Sequence, residues 1–423
     1  MTAPVTTGPA ALASAIADRL DAPPTAAVPR WWPQSLAHGA LGVALLHVER
    51  ARAGFGPWRR AHDWLAYATR DAVQAGPGSH LHQGAPALAF VLNRAADRPG
   101  RYGTALDVLD RQIAGMTRRR IDRAYRRMDR GARPALAEFD AIRGLAGLGA
   151  YLLRRDPNGD LIRAVLCYLV RLTEPVIEPV TATVIDAGQT MPGWWTDVAP
   201  SGQASPDFPG GHANTGMAHG IAGPLALLAL AMRDGVMVEG QRDAIRRIQA
   251  WLDRWRQEGA TGVWWPYWIT CGGLRAERPA STGPGRPSWC YGTAGIARAQ
   301  QLAALALGDT DRQRTAEQAL LTALTDPAQL ALTTDLSLCH GIAGLAHIAQ
   351  RAAADATSPA ALADLAPRLL VRITEHDTDV TPREAPPESG PGLLEGAAGI
   401  ALALHSASAS GPVWGWDACL LIG

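Results

Sequence analysis

The 423-residue sequence contains no lysine, so all 40 of its basic residues are arginine. Acidic residues number 39, which leaves a net charge of +1 and gives no global electrostatic case for nucleic-acid binding. Phenylalanine and tyrosine are scarce, at 4 and 7 residues, whereas Leu, Ala, Arg and Gly dominate. This composition favours helices over a β-sandwich.

Cysteine is rare, and long apolar runs are missing. An odd number of cysteines, five, in a chain of this length argues against a disulfide framework. The first twenty residues lack the basic segment and apolar core of a signal peptide. Gly, His or Arg interrupts each apolar stretch before it reaches membrane-spanning length. We therefore expect a cytoplasmic protein without a transmembrane segment.

One pattern recurs seven times along the chain: a glycine followed by small residues and an apolar helical run. Six repeats have the form Gly-x-x-Gly, and the second repeat has Ala87 in place of the later glycine. Amphipathic stretches such as ALDVLDRQIAGM lie between the repeats and are typical of outer helices. The first glycines of the repeats are Gly39, Gly84, Gly144, Gly220, Gly292, Gly341 and Gly396.

These repeats predict an all-α fold in a single domain over residues 1–423, with seven inner and seven outer helices. An open superhelical solenoid and a closed α/α toroid both fit the pattern. The uneven spacing of the glycines favours the toroid, because open solenoids keep a more regular period. Residues 174–215 lack helical periodicity and are rich in Pro, Gly, Thr and Val. They predict an irregular or small β insertion on the rim.

Four aromatic residues occur close together in the second irregular stretch, Gly259 to Ser288. They are Trp264, Trp265, Tyr267 and Trp268. Two interpretations remain open for them. They could line a peptide groove, or they could form a buried aromatic cap.

Two successive repeats carry a cysteine just before the repeat glycine. Cys290 lies in WCYG, and Cys339 lies beside His340 in CHG. Each cysteine alone is more often an inert buried residue than a metal ligand. Their equivalent positions place both at the same end of a toroid, however, and His340 adds an imidazole. Two thiolates and one imidazole make three protein ligands, as in a catalytic zinc site that keeps one open position.

The chain resembles the lanthionine synthetase C-like family. The resemblance rests on WCYG, CHGIAG, GMAHGIAG, FDAIRGLAG and GLLEGAAGIALAL, and it extends from His38 to His405. It implies an α/α toroid with one Zn²⁺ per chain, and an activity that cyclises dehydrated peptides to lanthionine rings. It also implies that Cys290, Cys339 and His340 are the zinc ligands.

The resemblance assigns four further active-site positions: Asp140, His219, Arg286 and Tyr291. The substrate thiolate attacks the β-carbon of dehydroalanine or dehydrobutyrine, and the α-carbon must then be protonated. His219 is the candidate acid, Asp140 could orient and charge it, Arg286 could stabilise the enolate, and Tyr291 could hydrogen-bond either group. Taken alone, Asp140 also fits a helix N-cap and His219 also fits a core histidine.

The resemblance also leaves rival functions and partners open. One rival enzyme adds glutathione to dehydrated residues, and a second is a glycoside hydrolase on the same type of fold, which needs a carboxylate pair. A zinc-stabilised binding scaffold is the non-enzymatic alternative. The expected substrate is a dehydrated precursor peptide, and a separate dehydratase is the expected partner. No nucleic-acid partner is expected. Membership of a membrane-associated biosynthetic complex is left open.

Two further groups of polar residues are not assigned to the active site. His38, His212 and Glu395 lie at or near repeat starts and are interpreted as structural. The basic segment from Arg118 to Arg130 is either a solvated helix face or a docking surface for an acidic peptide or a dehydratase. Its arginines are Arg118, Arg119, Arg120, Arg123, Arg126, Arg127 and Arg130.

Overall fold

The computed structural model describes residues 8–175, 191–375, 390–408 and 415–423. In these ranges helices predominate, and none of them is long and apolar enough to cross a membrane. The helices are α1 (Pro9–Arg19), α2 (Ala40–Arg52), α3 (Trp58–Ala68), α4 (Ala85–Ala95), α5 (Gly103–Asp129), α6 (Leu136–Phe139), α7 (Leu145–Arg155), α8 (Asp160–Leu172), α9 (Ala222–Arg233), α10 (Gln241–Arg254), α11 (Cys271–Ala276), α12 (Thr293–Leu307), α13 (Thr310–Thr325), α14 (Pro327–Ala331), α15 (Ile342–Asp355), α16 (Ala360–Glu375) and α17 (Ala397–Ser408).

Every repeat glycine lies at the start of a buried helix. Six helices begin at the residue directly after the glycine, and α9 begins two residues after Gly220. These seven helices, α2, α4, α7, α9, α12, α15 and α17, are buried along most of their length. Their Ala- and Leu-rich sequences explain this, because small apolar side chains allow close helix packing.

The longer helices between the repeats are amphipathic. In α8 the buried residues Ile162, Val165, Leu166 and Leu169 recur at intervals of three and four, so they share one face. The same pattern holds in α1, α3, α5, α10, α13 and α16. The described chain thus has the predicted seven buried and seven amphipathic helices, with α6, α11 and α14 as short additions.

Close contacts divide the chain into two compact units, the first of which comprises Met1–Ala114 and Thr333–Ala418. Within it α15, α17, α2 and α4 are successive neighbours. The amphipathic helices cover this row, with α16 on α15, α1 on α17 and α3 on α2. Each repeat therefore packs as a pair of one apolar and one amphipathic helix.

The second unit comprises Gly115–Leu332 and Cys419–Gly423. Here α9 packs between α7 and α12, while α8 covers α7 and α13 covers α12. The prediction of a single domain over residues 1–423 stays a prediction.

The last residues of the chain are anchored within this second unit. The indole Nε1 of Trp289 donates to the carbonyl of Leu420 over 2.8 Å. The guanidinium Nε of Arg298 donates to the carbonyl of Ile422, also over 2.8 Å. The segment that carries WCYG is thus fixed by residues more than 120 positions later in the sequence.

Two small antiparallel sheets belong to the second unit. Strand β1 (His212–Asn214) pairs with β4 (Trp268–Thr270), with Ala213 opposite Ile269. Strand β2 (Gln257–Gly259) pairs with β3 (Gly262–Trp264). Of the predicted insertion at 174–215, residues 176–190 lie outside the described residues, and β1 lies near its end. The second irregular stretch supplies β3 and β4. The two irregular stretches pair with each other through β1 and β4.

Gly292 shows why a repeat start requires glycine. Its φ of +86° lies in the region that favours glycine, and a Cβ there would lie 2.6 Å from the carbonyl oxygen of Arg286. Gly84, with φ of +74°, has the same requirement. The glycine lets the chain turn sharply from the preceding loop into the helix.

Three buried histidines make the stability of the protein depend on pH. Burial lowers the pKa of His47, His212 and His405 from 6.5 to about 4. Each is neutral in the folded protein and gains a proton on unfolding below pH 6.5. Their contribution is therefore complete above pH 6.5 and is lost as the pH falls towards 4. At pH 5 the loss is on the order of 2 kcal/mol for each histidine.

Urea unfolding at pH 8 and pH 5 measures this difference. The His212→Gln variant should lose less stability between the two pH values than the wild type. His62→Gln, at an exposed position, should behave as the wild type does. An equal loss in the His212→Gln variant and the wild type would contradict the prediction.

Candidate active site

The candidate site residues lie in the short loops that precede four of the buried helices. Asp140 lies four residues before Gly144, and His219 directly precedes Gly220. Cys290 and Tyr291 precede α12, and Cys339 and His340 precede α15. The repeat pattern therefore positions each of these side chains at a helix start.

Asp140 and His219 form a hydrogen-bonded pair. The imidazole Nδ1 of His219 lies 2.7 Å from the Asp140 carboxylate oxygen Oδ2. The other oxygen, Oδ1, accepts the backbone N–H groups of Arg143 and Gly144 at 2.6 and 2.7 Å. The N-cap of α7 is Gly144, so Asp140 stabilises the turn that leads into this helix and also holds His219. It is 1% exposed and His219 is 35% exposed, so the imidazole faces accessible space while its partner is buried.

Tyr291 lies beside His219, with 6.5 Å between the ring centroids. Its hydroxyl accepts a hydrogen bond from the side-chain amide of Asn214 over 3.2 Å. Tyr267 packs on its ring with a centroid distance of 5.3 Å. The structure thus brings the predicted residues His219 and Tyr291 together. It also identifies Asn214 as a supporting residue that the sequence analysis missed.

Arg286 is half-buried near the same aromatic group. Its backbone carbonyl accepts the Tyr267 hydroxyl over 2.8 Å. Burial raises the pKa of Tyr267, and the positive charge of Arg286 partly opposes that effect. The Nε atom of Arg286 is buried and has no hydrogen-bond partner among the described residues. An unsatisfied buried donor is costly, which makes this guanidinium a candidate to bind an external acceptor.

Cys290, Cys339 and His340 form a cluster that could hold a metal ion. Their ligand atoms lie within 4.8 Å of one another. Cys290 is buried, whereas Cys339 and His340 are half-buried. The imidazole Nε2 of His340 also lies 3.5 Å from a carboxylate oxygen of Asp335. A carboxylate next to a ligating histidine fixes the orientation of the ring.

Serine residues hold the two loops that carry these cysteines. The Ser288 hydroxyl lies 3.5 Å from Cys290 Sγ and accepts the Tyr291 N–H over 3.2 Å. The Ser337 hydroxyl accepts the N–H of His340 over 3.3 Å. Ser35 accepts from His38 in the same way, over 3.1 Å.

Asp140 occupies the position of these serines in its own repeat, three residues before the residue that precedes the glycine. The shared pattern is visible in SLAHG, SWCYG, SLCHG and DAIRG. Sequence reasoning missed it because it compared only the residues next to each glycine. The pattern indicates a common turn before the helix, and one repeat has aspartate where the other three have serine.

His38, His212 and Glu395, which the sequence analysis interprets as structural, each contact another protein group. His212 is fully buried and contacts the carbonyl of Val198 through Nδ1 at 2.8 Å. His38 lies 3.8 Å from a carboxylate oxygen of Glu395.

The aromatic residues of the second irregular stretch divide between the two interpretations. Trp264 and Trp265 are buried, at 4% and 2% exposure, which fits the cap. Tyr267 and Trp268 are half-buried and contact Tyr291.

The helical repeats and this thiol–imidazole cluster define a helical repeat protein with a candidate metal site. Residues 30–421 match the family described as lanthionine synthetase C-like protein, and the chain belongs to that family. A nisin cyclase structure superimposes with a TM-score of 0.77 at 22% identity, covering 97% of this chain and 96% of that one. This likeness confirms the all-α fold class, the α/α toroid.

A curated relative is the nisin biosynthesis protein NisC of Lactococcus lactis subsp. lactis. It is 26% identical over 272 residues, which is 63% of this chain. The alignment spans 60% of the length of NisC.

Proposed function

We propose that the protein is a zinc-dependent lanthipeptide cyclase. It adds cysteine thiols of a dehydrated precursor peptide to dehydroalanine or dehydrobutyrine and so forms thioether rings. The observation that carries the proposal is the cluster of Cys290, Cys339 and His340. Family membership and the names of the two relatives, nisin cyclase and a nisin biosynthesis protein, support it.

The donor set fits zinc. Two thiols and one imidazole are ligands that Zn²⁺ prefers, and three protein ligands leave one position for a substrate. Cys290, Cys339 and His340 would hold the zinc, and Asp335, 3.5 Å from Nε2 of His340, would fix the orientation of that ring. When bound, zinc lowers the pKa of a coordinated substrate thiol, so that the sulfur is a thiolate at neutral pH.

The chain's own residues handle the proton. A new bond joins the substrate sulfur to the β-carbon, the carbon–carbon double bond breaks, and the α-carbon takes a proton. Because Asp140 accepts from Nδ1 of His219, the opposite nitrogen, Nε2, delivers that proton. The Asp140 carboxylate stabilises the protonated imidazole. The thiol loses one proton and the α-carbon gains one, so the reaction consumes no net proton.

Arg286 and Tyr291 serve the acceptor in this proposal. As the thiolate adds, negative charge develops on the carbonyl oxygen of the dehydrated residue. The unsatisfied guanidinium donor of Arg286 is suited to hold that oxygen. Tyr291, fixed by Asn214 and Tyr267, orients the His219 side of the site.

Partners and location follow from this chemistry. A separate dehydratase must supply the unsaturated residues, because the residues named here do not dehydrate serine or threonine. Zinc ligation requires cysteines in the reduced form, and the cytoplasm keeps thiols reduced.

A synthetic peptide with one cysteine and one dehydroalanine tests the proposed function. Purified protein should contain one zinc per chain by elemental analysis. It should consume the peptide thiol without a change in peptide mass, because ring closure is an isomerisation. Zinc-loaded protein that leaves the thiol intact would reject the cyclase. Preferential formation of a glutathione adduct would instead favour the glutathione-adding alternative.

A further inference from the structure

The C-terminal half of α5 carries a stripe of exposed arginines. Arg119, Arg123 and Arg126 recur at intervals of four and three residues, so they share one face of α5, and Arg130 follows directly after the helix ends at Asp129. Residues 115–130 contain seven arginines and two aspartates, a net charge of 7 − 2 = +5. In the part of the chain that the structure describes, none of the four takes part in an ion pair. Arg127, on the neighbouring face, is paired with Glu138 at 2.6 Å.

A pocket of about 450 Å³ lies beside the Asp140–His219 pair, which lines it together with Arg133 and Arg143. Arg133 is paired with Asp197 at 2.8 Å. Arg143 is exposed, and its guanidinium has no ion pair or hydrogen bond among the described residues. The pocket therefore offers a cation next to the candidate acid His219.

Arg120 connects the stripe to the pocket. Its guanidinium donates a hydrogen bond to the backbone carbonyl of Arg143. Burial lowers the pKa of Arg120, the like charge of Arg123 lowers it further, and the carboxylate of Asp140 opposes both. Arg120 is thus close to a stripe residue on one side and to the pocket on the other. The loop that follows α5 also reaches the pocket, through Arg133.

We propose that the arginine stripe of α5 and the Arg143 pocket form one binding track for an acidic segment of the peptide substrate. The inference rests on the proposed function, since the same peptide presents its dehydrated residue to His219. Guanidinium groups bind carboxylates with paired hydrogen bonds, which gives Asp and Glu side chains an advantage over other residues. Arg119 and Arg130 lie 11 residues apart, about 16 Å along a helix, which an extended peptide spans with about five residues.

The position of the stripe favours a peptide over other anionic partners. A net charge of +1 for the whole chain gives no broad attraction for nucleic acid. The track ends in a pocket next to His219, where a flexible peptide can enter. An acidic protein surface would use the stripe without needing Arg143.

Fluorescence anisotropy with a dye-labelled peptide of five glutamates tests the track directly. The quadruple variant R119Q/R123Q/R126Q/R130Q should weaken binding by about tenfold or more, since four exposed charge contacts are lost. A matched control changes four exposed arginines elsewhere and should bind within about twofold of the wild type, because it loses charge but no contact. The control residues are Arg98, Arg242, Arg278 and Arg368.

Cyclisation assays add a second readout. With a substrate that carries five glutamates beside the ring-forming segment, the stripe variant should raise KM by about tenfold and leave kcat within about twofold. The glutamine version of the substrate should show no such change. Arg143→Gln alone should raise KM for a substrate with glutamate next to the dehydrated residue.

The outcomes separate the two proposals. If the wild type forms rings but the stripe variant and the control bind the glutamate peptide equally, the track is wrong and the cyclase stands. If the wild type forms no ring on any peptide but binds the glutamate peptide through the stripe, the cyclase is wrong and the track stands as a binding site. An oligonucleotide bound as tightly as the glutamate peptide would overturn the assignment to a peptide. Unchanged binding of the glutamate peptide in the Arg143→Gln variant would overturn it as well.

Discussion

Cys290→Ala should contain no zinc and should form thioether rings at no more than about 1% of the wild-type rate. Under the proposed function, the change removes one of three zinc ligands, and zinc supplies the activation of the thiol. A free thiol with a pKa near 8.5 is mostly protonated at neutral pH and adds slowly. Zinc content by elemental analysis and thiol consumption on a dehydrated peptide are measured on the same sample.

Cys271→Ala is the matched control for this variant. Cys271 is also buried, but it lies outside the metal cluster and donates to the carbonyl of Gly210. It should keep its zinc and most of its activity. Full zinc occupancy in the Cys290→Ala protein, or equal zinc loss in both variants, would remove Cys290 from the ligand set.

His219→Ala should keep its zinc and lose ring formation by about 10²–10⁴-fold, the usual contribution of a general acid or base. His219 lies outside the metal cluster, yet its imidazole is held by Asp140 and faces accessible space. Single-turnover rates on the dehydrated peptide, compared at equal zinc content, measure the effect. Wild-type rates in the zinc-loaded variant would overturn the role of His219 as the acid, whereas zinc loss would point to coordination or folding.

Two substitutions of Asp140 separate its proposed catalytic role from its role in the turn before α7. Asp140→Asn keeps an oxygen for the N–H groups of Arg143 and Gly144 but removes the charge that favours protonated His219. It should therefore resemble His219→Ala in rate while keeping wild-type stability. Asp140→Ala should additionally lose about 1–3 kcal/mol of stability, because the N–H groups of Arg143 and Gly144 lose their acceptor. Equal stability of the Asn and Ala variants would contradict the role of Asp140 in this turn.

The sequence predicted the helical architecture well because the signal was repeated seven times. Each glycine marks a helix start, and in Gly292 the backbone angle and the nearby carbonyl of Arg286 show why. The small sheets were harder to predict. Strand β1 has three residues, and its partner β4 lies more than 50 positions later, so no local periodicity indicates their pairing.

The site residues next to repeat glycines could be predicted, and those that support them could not. Cys290 and Cys339 each lie two residues before a repeat glycine, so equivalence alone suggested a common site. Asn214, by contrast, contacts Tyr291 across 77 positions of sequence. That contact depends on how the loop before α9 packs against the loop before α12. Ser288 and Ser337 are an intermediate case, since their spacing before the glycine is visible in the sequence once the turn they form is known.

The anchoring of Trp289 and Arg298 by the end of the chain has a consequence for synthesis on the ribosome. The Trp289 indole finds its acceptor, the carbonyl of Leu420, 131 residues later. At bacterial and eukaryotic elongation rates of 5–20 residues per second, that separation corresponds to roughly 6 to 26 s of translation. During this interval the nascent WCYG segment lacks the contact that fixes it. The loop that carries Cys290 therefore reaches its final arrangement late in synthesis, only after Leu420 has left the exit tunnel.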